Sequence, residues 1–195
     1  MFCKLADRCP VRSPMSRRNC LPLALALAAA AASCVQHFQA PEQIVTSSFE
    51  KTVTVGSEAM ALPNEESGMA RLVSVVSKDG SPTTHSVYVQ IIYSRAWRFY
   101  QSANAEGGDA LPFVPIKRNV GACTQYGCGY EEQFAATIPE ARFVGARQTG
   151  LAVKFYAQAA TPMIVSVPAA AVARQRALED SVSRAVGATR TRTNP

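Results

Sequence analysis

Histidine is almost missing from this chain of 195 residues: His37 and His85 are the only two. A zinc site needs four ligands, and nucleophilic catalysis needs a base beside the nucleophile, so this scarcity narrows both options. No Walker loop and no GxGxxG, GxSxG or HExxH spacing occurs. The glycines of "EGGDA", residues 106–110, lack the strand-to-helix context that a phosphate cradle requires. Long apolar runs are lacking too. Leu21 to Ala32 covers twelve residues, with Pro22 inside it, whereas a helix that crosses a bilayer needs roughly 20.

Surplus charge is also scarce once it is located. The formal net charge is +6, with 20 basic and 14 acidic residues, but Lys4, Arg8, Arg12, Arg17 and Arg18 stand against Asp7 alone in the first 33 positions. The remainder is +2, and Arg184, Arg190 and Arg192 near the end account for that excess. No basic face is left to follow a phosphate backbone, so nucleic acid is not expected as a partner.

What is present begins with the leader. Arg17 and Arg18, the apolar run Leu21–Ala32 and the small residues Ala31, Ala32 and Ser33 are the three parts of a secretory signal peptide. The run then meets Cys34. "AASC", Ala31 to Cys34, resembles the lipobox of bacterial lipoproteins, departing from it at Ala31, where that class prefers Leu. The resemblance covers only these four residues and the leader. It implies cleavage before Cys34, diacylation of its thiol and acylation of the new amino terminus. Stable anchoring takes more than one chain, and three would hold a domain durably at a membrane. Ordinary cleavage after Ala30 or Ala32 is the alternative. Met15 offers a cleaner start than Met1, and "SRRNCL" partly resembles a twin-arginine export signal. Val35 follows the cysteine, where Asp marks inner-membrane retention in this class, so the resemblance favours the outer membrane, facing the periplasm.

Six cysteines occur; Cys3, Cys9 and Cys20 belong to the expected leader, Cys34 is the lipid attachment site that the resemblance implies, and Cys123 and Cys128 remain. In an oxidising compartment this pair is expected as a disulfide closing a short reversal among Gly121, Gly127 and Gly129. It lacks the CxxC spacing of redox motifs and the further ligands of a zinc site.

After a tether over residues 34–43, the texture is that of strands. "IVTSSFEKTVTV", "ARLVSVVS" and "THSVYVQIIYS" come first, with Asp79 and Gly80 predicting a hairpin turn between the second and third. Both parities of "VYVQIIY" are fairly apolar, which predicts a central strand. "AWRFYQSA" reads as a strand with Trp97 and Phe99 on one core-packed face, "NAEGGDALP" as a mobile loop, and "PFVPIKRNV", "YEEQFAATI", "GLAVKFYAQ" and "PMIVSV" as further strands. Glu131 and Glu132 then point to opposite faces and cannot act as a pair. Glu65 and Glu66 read as a solvated loop, and His85 as an exposed strand-end residue.

Pro168 fits the first turn of a helix built on "AAAVARQRALEDSVSRAV", with Leu178, Val182, Ala185 and Val186 as its apolar stripe. Arg176 with Asp180 and Asp180 with Arg184 stand at i,i+4. Gly187 is its expected stop, and residues 188–195 are expected to be a disordered tail. Without strand–helix–strand alternation, the expectation is a mainly β protein: one domain over 44–187, an antiparallel sandwich or barrel-like fold with one C-terminal helix.

No catalytic residue, metal site or cofactor is assigned from these features. Two functions remain. One is a non-catalytic envelope lipoprotein that binds an envelope protein or ligand; the other is an envelope hydrolase whose active site is unrecognised. A deep pocket holding His85 and a carboxylate would favour the hydrolase, and an open apolar groove or free strand edge the binding domain.

Overall fold

Alternating parity on long strands determines which elements meet. The computed structural model describes residues 41–193 apart from 47–49, 63–66 and 126, so the expected leader, Cys34 and most of the expected tether lie outside the described residues. The strands are β1 (Gln43–Thr46), β2 (Thr52–Gly56), β3 (Met60–Ala61), β4 (Ser67–Ser77), β5 (Thr84–Ser94), β6 (Tyr100–Ala105), β7 (Ala110–Leu111), β8 (Phe113–Thr124), β9 (Gly127–Ile138), β10 (Leu151–Ala157) and β11 (Met163–Val167). The helices are α1 (Glu140–Thr149) and α2 (Ala169–Thr193).

A seven-stranded antiparallel sheet runs β1-β2-β4-β5-β9-β8, with β3 beside β4, and a four-stranded sheet runs β11-β10-β6-β7. The sheets form a curled half-barrel. The protein is therefore mainly β and antiparallel with a C-terminal helix, as the sequence predicts, and β5 is the central strand between β4 and β9. The Asp79–Gly80 turn joins β4 to β5, with Gly80 at φ 89° and Asp79 Oδ1 accepting from the Ser81 amide at 2.9 Å.

One face of the large sheet makes the core. Leu72, Val87, Val89, Ile91, Phe134 and Ile138 pack against Val153, Phe155 and Val165 of the second sheet and against Phe143 and Val172 of the helices. A smaller cluster joins Val53, Val55 and Val76 to Val182, with Leu178 and Val186 alongside. Three members of the predicted helical stripe thus do pack, while Ala185 is exposed. The opposite face carries Thr54, Val73, Val75, Tyr88, Gln90 and Gln133, all half-buried, and both described helices and the second sheet lie on the core side.

Several expectations are corrected. The "NAEGGDALP" segment is a tight hairpin turn, because Gly107 and Gly108 both adopt φ 94° and the Ala105 amide donates to Asp109 O at 2.8 Å. "AWRFY" is not strand before Tyr100: Arg95 and Phe99 both adopt positive φ, and Phe99 is exposed rather than core-packed. A second helix, α1, follows Pro139. The C-terminal helix continues through Gly187 to Thr193, because glycine costs only about 1 kcal/mol in a helix and no proline follows until the end. Arg176 Nε meets Asp180 at 3.4 Å, but Arg184 Nε donates to the Asp180 carbonyl, not its carboxylate. The disulfide Cys123–Cys128 is formed, across directly paired residues at the end of the β8–β9 hairpin.

Gly150 ends α1 with φ 82°, and a Cβ there would come within 2.8 Å of Val167 O. Gly150→Ala should therefore lower stability by about 1–3 kcal/mol, read as a shift of the urea midpoint.

Candidate functional site

Three polar clusters are built on this scaffold. The first surrounds His85, which is 1% exposed and not a free strand end. Core-side parity turns His85 of β5 and Ser74 of β4 inward, and α1 and α2 cover them. The imidazole stacks on Phe143 with ring centroids 4.0 Å apart. Nε2 faces the Glu140 carboxylate, and Nδ1 lies 3.2 Å from Ser74 Oγ and 3.3 Å from Glu179 Oε1. The Ser74 hydroxyl donates to Glu179 and accepts from Gln175 Nε2 at 3.0 Å, while Arg176 reaches Glu140 at 3.2 Å and Glu179 at 3.4 Å. Burial alone would lower the His85 pKa. The hydrogen bonds and charges of Glu179 and Glu140 more than reverse this, holding it above its ordinary value and favouring the protonated ring.

Serine, histidine and glutamate are the residue types of a hydrolase triad. Here serine and glutamate share one ring nitrogen, the hydroxyl proton is directed at the carboxylate, and Ser74 is fully buried. That arrangement ties β4, β5, α1 and α2 together and offers no nucleophile to a substrate.

The second cluster is organised by Glu132, which is 1% exposed. Its carboxylate accepts from the Tyr93 hydroxyl, from the Phe99 and Tyr100 amides at 3.0 and 3.2 Å, and from Arg118 Nε at 3.2 Å. Burial first, and then the Glu132 carboxylate, push the Tyr93 pKa well up, so the phenol keeps its proton as donor. Above this hub Trp97 meets Tyr130 edge-on at 4.8 Å and Phe99 at 5.9 Å, and the Arg118 guanidinium lies over Phe99. Glu131, on the other face as predicted, bonds Gln133, Lys117 and Gln90. Those bonds, Gln133's foremost, lower its pKa.

The third cluster lies on the face of the large sheet away from the core. A groove of about 410 Å³ is lined by Gln43, Val45, Met69, Arg71, Val73 and Tyr88. Arg71 is 7% exposed, and its side chain lies across Gly56, where a Cβ would stand 3.6 Å from Arg71 Cδ. Burial raises the Tyr88 pKa, against the pull of the Arg71 charge, so this phenol stays neutral. A second groove, of about 500 Å³, lies at the end of α1, but its Arg142 is spent on Asp109 and on the Glu106 carbonyl.

Sequence reasoning singled out His85 and Glu132 without their roles, and it missed Ser74, Glu179 and Arg71. A serine in the core-side parity of an apolar strand, and an arginine inside a central one, were the available signals. Cys34, the expected lipid attachment site, lies outside the described residues, and Cys123 and Cys128 are joined at the end of the β8–β9 hairpin. Compared with protein-family models, with curated proteins and with solved structures, the chain matches none.

Proposed function

We propose that this protein is a non-catalytic cell-envelope lipoprotein, held at the membrane through acylated Cys34, whose β-domain binds a ligand or an envelope partner on the open face of its large sheet. The observation that carries the binding role is the division of the two sheet faces. The serine, histidine and glutamate side chains are consumed in fastening helices to one face, and an open, largely apolar groove lies on the other. The disulfide Cys123–Cys128 supports an oxidising compartment, in keeping with a leader that ends at Ser33, before Cys34. The lipobox resemblance favours the outer membrane.

The test is intact mass and membrane fractionation of the full chain expressed in a bacterium, beside Cys34→Ala. Expected is a mature mass beginning at Cys34 with a diacylglycerol and a third acyl chain, found in the membrane fraction, and an unlipidated mutant. A lipid-free mature chain beginning elsewhere would remove the anchor.

A further inference from the structure

The geometry points to the Arg71 groove as a binding site for an alkyl monocarboxylate, with the carboxylate on the guanidinium and the chain along Val45, Met69 and Val73. This rests on the proposed binding role but not on the lipid anchor.

The argument begins with unused donors. A guanidinium carries five N–H groups. One Nη1 hydrogen goes to Gln43 Oε1 at 2.9 Å, and Nη2 faces Met69 Sδ at 3.7 Å, a weak acceptor. Nε is buried with no hydrogen-bond partner, and among the described residues no carboxylate pairs with Arg71. An arginine that is nine-tenths buried without a counter-ion is costly, and an anion that completes it offsets the cost. Arginine and carboxylate match as planar partners with two parallel hydrogen bonds. The oxygen acceptor now in place, the Gln43 amide, stands on the exposed edge strand β1 and is the group a carboxylate would displace.

The rest of the groove sets the ligand's body. Beyond the guanidinium it offers valine and methionine side chains, the Tyr88 ring and the Thr54 hydroxyl, and among the described residues no second cation lines it. A single charge suits a monoanion rather than a phosphate or a dicarboxylate. Strands β2, β4 and β5 are inner strands whose backbone groups are engaged on both sides. They leave few partners for the amides of a peptide, whereas a ligand that is polar only at its head leaves nothing unpaired. The groove at the end of α1 fails this comparison because its arginine is already neutralised.

The experiment is isothermal titration calorimetry of the full chain with octanoate, octanol, acetate and an apolar tripeptide carrying a free C-terminus. It is repeated on Arg71→Met and on Val73→Glu, which places a carboxylate two residues away on the same face as an internal counter-ion. Expected is saturable binding of octanoate at one site, at least about tenfold tighter than octanol, acetate or the tripeptide and at least about tenfold weaker in each variant. Without ligand, Arg71→Met should melt no lower than wild type, because it removes an unpaired buried charge. Equal binding by octanol, a tighter tripeptide, or undiminished octanoate binding in Val73→Glu would overturn the assignment. So would the absence of saturable binding to wild type. A correct lipidated mass alongside any of these would leave the anchor standing and remove only the groove.

Discussion

Replacing Glu132 with alanine should lower the free energy of unfolding by about 3–5 kcal/mol and shift the emission of Trp97, the only tryptophan, to the red. The carboxylate is buried and accepts from the Tyr93 hydroxyl, two backbone amides and Arg118. Arg118 is 40% exposed and can turn to water. The phenol and the two amides cannot easily do so, and each buried donor left unmade costs about 1–3 kcal/mol. Phe99 links this carboxylate to the tryptophan, since an aromatic residue at φ 55° is strained and is held there by the hydrogen bond that its amide donates to Glu132. Losing that bond frees Phe99 and with it the packing of Trp97. The control is Glu131→Ala, one residue away on the other face. Its partner Lys117 is half exposed, so the loss should stay near about 1 kcal/mol. Urea titrations followed by tryptophan emission measure both effects. Equal losses for the two glutamates would mean that Glu132 does not organise the loop.

This contrast shows how far a strand's parity can be read. The alternation in "YEEQFAATI" places the two glutamates on opposite faces, and the structure agrees, but alternation does not say which face is covered. The same limit applies to His85. Two threonines before it and a turn nearby give it the texture of a surface residue, and only the arrival of α1 and α2 buries it. Of the ten residues of α1 only Phe143 and Ala146 are buried, and Gly145 stands within it, so no apolar stripe marks it as a helix. Features set by local chemistry were legible: the Asp79–Gly80 hairpin, the helix after Pro168 and the Cys123–Cys128 link. Features set by contacts between distant elements were not. Glu179 and Ser74 are 105 positions apart, and nothing in either neighbourhood announces the other.

That distant pairing carries the second large effect, a dependence of stability on pH. The folded protein holds the His85 proton more tightly than the unfolded chain, whose imidazole titrates near about 6.5. Its contribution is therefore fully present below that pH and is lost as pH rises through the higher folded-state value. The urea midpoint of wild type should fall on raising the pH from about 6 and level off once folded His85 is neutral. His85→Phe keeps a ring to stack on Phe143 but leaves Glu179, 3% exposed, without its imidazolium. Because Arg176 and the Ser74 hydroxyl still reach Glu179, it should cost about 1–3 kcal/mol below pH about 6 and abolish that decline. Adding Glu179→Leu removes the carboxylate that faced the ring, and the double variant should recover much of the loss, since apolar replacement of a buried ion pair is often near neutral. The double-mutant cycle then gives a coupling between β5 and α2 that simple ring packing would not produce. Additive losses, or a pH decline that persists in His85→Phe, would mean that the imidazolium is not what holds α2 to the sheet.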